Sequence, residues 1–371
     1  MKSLRYPYRT ELLVVQPTPF CNISCTYCYL PHRNSTKKLE LDVAERVFSR
    51  VFSFPTIRDA ITIVWHAGEP MVMPVGYYEQ MFSLIQRTSD RIAVQHAFQT
   101  NGTLISDEWC DLINKWSVNV GVSLDGPEEV HDLHRKFRNG TGSFASAYRG
   151  IELLQLRQID FHVITVLTQG SLSSPESMFE FFFNAGIDNI SFNIEETEGT
   201  HESALTKQKE FATEYRNFLT KFLELAFVHR PQMSVREFES CTQAILGYGK
   251  GLRNEQAEPL SILSFDTNGT ISTFSPELLG MKHPSYDFEF GNVLEDSFDV
   301  IAGRILSSKL YSDIEAGRKA CEAVCEYFSV CGGGAPANKI FENGTANSTQ
   351  TAYCRSHQIA IDVVLDKIAN H

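Results

Sequence analysis

The sequence predicts an α/β protein: a partial (β/α)6 barrel over residues 1–235, followed by a smaller cysteine-bearing domain over 236–371. Three features predict it. A β-rich run, a loop with Gly, Asn, Pro or Asp and an amphipathic stretch recur six times in the first half, which is the rhythm of βα units. Several of these runs are apolar nearly throughout, as parallel strands covered by helices must be. Seven of the nine cysteines fall in two clusters, Cys21, Cys25 and Cys28 near the start and Cys321, Cys325, Cys331 and Cys354 near the end. A turn-rich unit that is short of core can use metal ligation in its place.

In chain order, strands are expected at 12–16, 61–66, 93–100, 118–124, 161–167 and 189–194. A helix over 42–52 puts Val43, Val47 and Val51 on one face, and one over 175–184 has Ser174 as its cap and Gly186 just past its end. A long helix over about 202–228 closes this half. Beyond it, Phe265-Asp-Thr-Asn-Gly-Thr-Ile271 reads as two short strands around an Asn-Gly turn. The change of texture sets the boundary near residue 235.

The chain carries 45 acidic and 33 basic side chains, a formal charge of −12, with 43% hydrophobic positions. That composition excludes a disordered chain and leaves ample material for a core. A pI near 5.4 without a basic stripe argues against nucleic-acid partners. No run approaches the roughly 18 apolar residues of a membrane span, and the N-terminus lacks an apolar export core. No membrane partner and a cytoplasmic location are therefore expected. In a reducing compartment clustered cysteines bind metal or do redox chemistry more often than they form disulfides, and the odd count points the same way. Cys110 and Cys241, outside the clusters, are expected in the core.

Cys21-Asn-Ile-Ser-Cys25-Thr-Tyr-Cys28 places three thiols in a loop directly after the first strand. Three thiolates can wrap one face of a 4Fe-4S cube and leave its fourth iron without a protein ligand. An open iron can chelate S-adenosylmethionine, reduce its sulfonium and release a 5′-deoxyadenosyl radical. Zinc, with His32 as a fourth ligand, is the alternative, although structural zinc usually draws on two separated pairs.

The spacing Cys-x-x-x-Cys-x-x-Cys, with Tyr27 before the last cysteine, resembles the signature of radical S-adenosylmethionine (radical SAM) enzymes and implies their partial, TIM-like barrel. Further motifs sit at successive strand ends, where barrel enzymes build their sites. His66-Ala-Gly68-Glu69-Pro resembles the family's Gly-Glu-Pro motif, which receives the methionine ammonium. Gln99-Thr-Asn101-Gly and Ser123-Leu-Asp125-Gly stand where the family places groups around the ribose and methionyl moiety, and Arg135 where it binds the methionine carboxylate. Taken singly, each has a bland reading as a turn, a solvated acid or a surface helix residue. Their joint order behind the cysteine loop carries the resemblance, over about residues 10–230. It also implies an electron donor of flavodoxin or ferredoxin type.

The second cluster supplies four thiols, a complete set for an auxiliary 4Fe-4S cluster with no open iron. Three glycines after Cys331 would let backbone amides approach the sulfides. The pattern resembles the SPASM domain of peptide-modifying radical enzymes. It departs in having Cys-x-x-x-Cys for its first pair, and Thr273-Phe-Ser-Pro-Glu-Leu-Leu279 where a further cysteine is expected, so one auxiliary cluster is implied. Zinc is the competing occupant.

Longer strings, among them Phe192-Asn-Ile-Glu-Glu196, Phe274-Ser-Pro-Glu277-Leu-Leu-Gly280 and Cys331-Gly-Gly-Gly-Ala-Pro-Ala-Asn-Lys339, resemble the GRRM-type maturases. That resemblance implies action on a ribosomally made precursor peptide, with an aromatic ring carbon joined to a β-carbon two residues along in a three-residue cyclophane. Sulfatase maturation (formylglycine formation), thioether formation or epimerisation is the alternative within this chemistry; a redox or zinc-bound regulator is the alternative outside it. Glu277 is the first candidate to accept the proton, with Glu195 and Glu196 behind it. Without spare length for a separate leader-binding domain, peptide recognition is expected to use the barrel, the SPASM region or another protein.

Overall fold

The computed structural model describes residues 6–229, 232–247 and 254–369. Six strands, β1 (Leu12–Val15), β3 (Ala60–Trp65), β4 (Ala93–Thr100), β5 (Asn119–Ser123), β7 (Phe161–Leu167) and β8 (Asn189–Ile194), lie side by side in that order and all run parallel. Each falls within two residues of its expected bounds. Helices between successive strands cover the sheet, which is why runs such as Val120–Val122 in β5 are buried without alternation. Leu41–Val51 turns Ala44, Val47, Phe48 and Val51 inward, and Pro175–Asn184 has Ser174 at its N-cap position, where the side chain makes no capping bond, and Gly186 in the left-handed region beyond its end.

Two short strands complete the picture at the mouth: β2 (Ile23–Cys25) and β6 (Arg135–Phe137) pair antiparallel, with Cys25 opposite Arg135. At the far edge the two-residue β9 (Ser234–Val235) joins β8. On the other side β10 (Ile262–Phe265) pairs parallel with β1 and turns through Asn268-Gly269 into antiparallel β11 (Ile271–Thr273). The hairpin is the expected one, and it extends the same nine-stranded sheet as the barrel strands.

The long helix begins later than the sequence implies. A 3-10 turn at Leu205–Lys207 and an extended Gln208 precede the helix Phe211–His229. Leu205 is only 2% exposed, and sinking it into the core bends the segment away from the helix axis. That core is aromatic: Trp65, Tyr78, Phe82 and Phe98 pack mostly edge-on or tilted, and Phe192 meets Phe218 and Phe222 edge-on. Cys110 and Cys241 are buried in it, as expected. No described helix is long and apolar enough to cross a membrane.

Candidate active site

Parallel strands put all their C-terminal ends on one side, and there a cavity of about 570 Å3 opens. Its wall includes Cys21, Cys25 and Cys28, then Gly68, Glu69, Gln99, Asn101 and Ser123 from successive strand ends, and Arg135 from the start of β6. The sequence motifs thus meet in space.

The cysteine loop is held on both flanks. The β2–β6 ladder ties Cys25 to Arg135. Arg138 donates to the carbonyls of Cys21 (2.7 Å) and Arg33 (2.5 Å) while its guanidinium lies 4.8 Å from the centre of the Phe20 ring. Glu69 N–H donates to the Phe20 carbonyl at 2.8 Å, which joins the loop to the end of β3. Gly68 is required there: its φ is +139°, and a Cβ would lie 2.2 Å from the Thr18 carbonyl oxygen.

Glu69 is 1% exposed, and its carboxylate accepts from Met71 N–H, the Thr100 hydroxyl and Asn101 N–H at 2.7–2.9 Å. Burial pushes this carboxyl up to about 7 despite those donors. Asn101 Nδ2 donates to Asn22 at 2.8 Å and lies 3.8 Å from Cys21 Sγ, and Gln99 donates to Ser123 at 3.1 Å.

Asp125, fully buried, takes a bidentate pair from Arg135 Nε and one Nη, both at 3.0 Å, and also bonds the Tyr27 hydroxyl. Burial alone would raise the Asp125 carboxyl; the adjacent guanidinium overrides it and holds the group below the ordinary carboxylate range. Burial likewise pushes the Cys21 and Cys25 thiols up, to about 12 and about 11.

The far wall of the same cavity is acidic. Glu196, Glu198 and Glu277 face it with Tyr29, Tyr353 and Asn338. Glu277 arrives from the loop after β11 and bonds the Ser275 hydroxyl. Glu196 accepts from Asn338 Nδ2 at 2.5 Å, and Glu195 turns to His201 at 2.9 Å. Burial raises Glu196 to about 8 and lifts Glu198 and Glu277 as well, with mutual repulsion adding to the shift at Glu196 and Glu198. Glu198, Tyr29, Asn338 and Tyr353 are not among the residues the sequence picks out. The tyrosines carried a signal, since each abuts a clustered cysteine, Cys28 and Cys354; Glu198 had none beyond following Glu196.

A second cavity, of about 390 Å3, is lined by Cys321, Cys325, Cys331 and Cys354. Gly332, Gly333 and Gly334 all have positive φ, and the nearby Gly333 and Gly334 amides partly offset the burial that raises the Cys331 thiol. Gln358 Nε2 approaches Cys354 and Cys325 at 3.6 and 3.8 Å. N–H groups converging on sulfur are what ligated, anionic sulfur requires. The donor sets therefore fit one three-thiolate and one four-thiolate group. Among the described residues no three His, Cys, Asp or Glu side chains are gathered closely enough to share a lone metal ion as they stand.

Comparison with known proteins gives a consistent picture. Residues 15–182 match the family model described as the Radical SAM superfamily. The chain is 43% identical over 353 residues to the uncharacterised protein sll1766 of Synechocystis sp., covering 93% of this chain and 88% of that protein. It is 23% identical over 396 residues to the cysteine-type anaerobic sulfatase-maturating enzyme of Clostridium novyi, covering 99% and 97%. The fold superposes on that of native anSMEcpe with bound AdoMet and Cp18Cys peptide with a TM-score of 0.78 at 20% identity, covering 97% of this chain and 98% of the other. With this match on the barrel half and a near full-length relative, the chain belongs to the radical SAM superfamily, whose members use a 4Fe-4S cluster together with S-adenosylmethionine.

Proposed function

We propose that this enzyme modifies a ribosomally made precursor peptide by joining an aromatic ring carbon to a β-carbon two residues along. The observation that carries the reading is one cavity that runs from the three-thiol loop to three half-buried carboxylates. Residues Asn338-Lys339 and Tyr353-Cys354 each have one member lining or facing this cavity and the next member at the four-thiol site.

Cys21, Cys25 and Cys28 would hold the cluster that binds S-adenosylmethionine, and Cys321, Cys325, Cys331 and Cys354 the auxiliary cluster. Once bound, these groups supply a hydrogen-abstracting radical and a sink for one electron. Gly68 and Glu69 shape the pocket for the methionine ammonium, and the Nη donors of Arg135 not taken by Asp125 serve the carboxylate. Gln99, Asn101, Ser123 and Tyr27 line the nucleoside side. Glu277 accepts the ring proton, with Glu196 as its neighbour; Glu195, already bonded to His201, is a weaker candidate. We place Glu277 and the auxiliary site in a second unit, 236–371, that completes the barrel of 1–235. A flavodoxin- or ferredoxin-type donor would supply the reducing electron.

Formylglycine formation is the competing reading, favoured by the end-to-end similarity to a sulfatase-maturating enzyme. Coexpression with a short peptide encoded beside the gene and rich in aromatic repeats tests both. Loss of one pair of hydrogens, no backbone fragmentation across the linked three residues and no reaction with a hydrazide probe are expected. A hydrazide-reactive aldehyde, or unchanged mass with solvent deuterium incorporated, would remove the crosslink reading.

A further inference from the structure

Lys339 is 4% exposed, and its ammonium has one partner among the described residues: Cys321 Sγ, at 3.6 Å. No carboxylate among the described residues pairs with it. A buried ammonium is costly unless an anion compensates it, and a neutral thiol is not an anion. The position becomes favourable when Cys321 is a thiolate and when the group beyond it carries net negative charge. Gln358 stands across the same cavity, with Nε2 3.6 Å from Cys354 and 3.8 Å from Cys325. The charge and the dipole therefore sit on three of the four sulfurs.

The neighbouring residue faces the other way. Asn338 donates to Glu196 in the catalytic cavity, while Lys339, one position along the helix Pro336–Asn343, meets the auxiliary site. The helix begins at Pro336, and the glycines before it have positive φ, which fixes its entry. Consecutive side chains thus bracket the wall between the two cavities.

We propose that Lys339, assisted by Gln358, sets the reduction potential of the auxiliary cluster. This rests on the assignment of Cys321, Cys325, Cys331 and Cys354 to that cluster. One-electron reduction adds a negative charge to a site that four thiolates already make anionic, and a fixed ammonium beside a ligand sulfur stabilises the reduced form more than the oxidised one. In turnover the electron comes from the carbon radical, which is oxidised as its ring proton passes to a carboxylate. Lys339 touches no reacting atom; it is a positioning residue.

The test is anaerobic redox titration of the full-length, cluster-loaded protein followed by electron paramagnetic resonance. The auxiliary signal is the one that added S-adenosylmethionine does not change. In Lys339→Gln the equilibrium for reducing that cluster should fall at least tenfold, about 59 mV for a one-electron couple, while the S-adenosylmethionine-sensitive signal keeps its midpoint. Lys339→Arg should restore most of the difference. Gln358→Leu should shift it in the same direction by less. Unchanged auxiliary midpoints in Lys339→Gln with iron content intact overturn the proposal, as does an unchanged Gln358→Leu if Lys339→Gln fails to load. Parent protein with zinc, or with no S-adenosylmethionine-insensitive signal, would instead overturn the auxiliary-cluster assignment.

Discussion

Replacing Asp125 by Ala leaves the Arg135 guanidinium, itself 6% exposed, with no carboxylate in a site it cannot leave. Breaking a buried pair in this way costs about 3–5 kcal/mol, chiefly because the surviving charge stays buried and uncompensated. An unfolding entropy of roughly 2.1 cal/mol/K per residue over 371 residues comes to about 0.8 kcal/mol/K. The expected fall in Tm is therefore about 4–6 °C, read by circular dichroism of the metal-free protein under reducing conditions at one scan rate. Asp125→Ala/Arg135→Met removes the stranded charge and should recover about 2 kcal/mol, or some 2–3 °C. The Asp125 carboxyl is held below its ordinary range, so its contribution is present above that range and is lost as pH falls through the folded value; the gap between parent and variant should stay constant from pH 6 to 9. Because Arg135 pairs with Cys25 through the β2–β6 ladder, the single variant should also retain less iron in the three-thiol loop. A Tm loss under 1 °C, or a double variant no more stable than the single, would refute this account.

Cys21→Ala/Cys25→Ala/Cys28→Ala should keep roughly one cluster's iron and release no 5′-deoxyadenosine; cleavage at the parental rate would move the cofactor site elsewhere. Glu277→Gln should slow peptide modification while cofactor binding, measured by calorimetry, is unchanged. Burial raises the Glu277 carboxyl, so the parental rate should climb with pH above the usual carboxylate range as the base ionises, and the variant should lose that limb. Glu196, raised to about 8 by burial, is protonated in the folded protein where it would be ionised in the unfolded one. The stability this gives is full below about pH 4.5 and lost as pH rises through about 8, by at most about 5 kcal/mol. Glu196→Gln should flatten that decline in urea melts of the metal-free protein, and an unchanged slope would show that the carboxyl is better solvated than its surroundings imply.

Local pattern was enough for the barrel strands and for the cysteine loops. β-rich runs of five to eight residues broken by turn chemistry specify a strand wherever it ends up, whether buried through its middle as β5 is or alternating as β4 does, and the spacing of Cys21, Cys25 and Cys28 confines three thiols to one loop whatever surrounds them. Strand-end motifs followed from the same rule, since parallel strands share the side on which they finish. What the chain order could not supply were the partners. β10 carries nothing in its own residues to say that it pairs with β1, some 250 positions earlier, yet that pairing brings Glu277 to the cavity. Asp125 and Arg135 each read as a cofactor contact; their mutual bidentate bond appears only when β6 folds back against β2. The late start of the helix at Phe211 reflects burial of Leu205, a tertiary gain that outweighs helix propensity over one turn. Raised carboxyls at Glu196 and Glu198, and the lone ammonium of Lys339 against Cys321, arise from desolvation by elements distant in sequence. Desolvation depends on everything that surrounds a group, and only the assembled fold decides that.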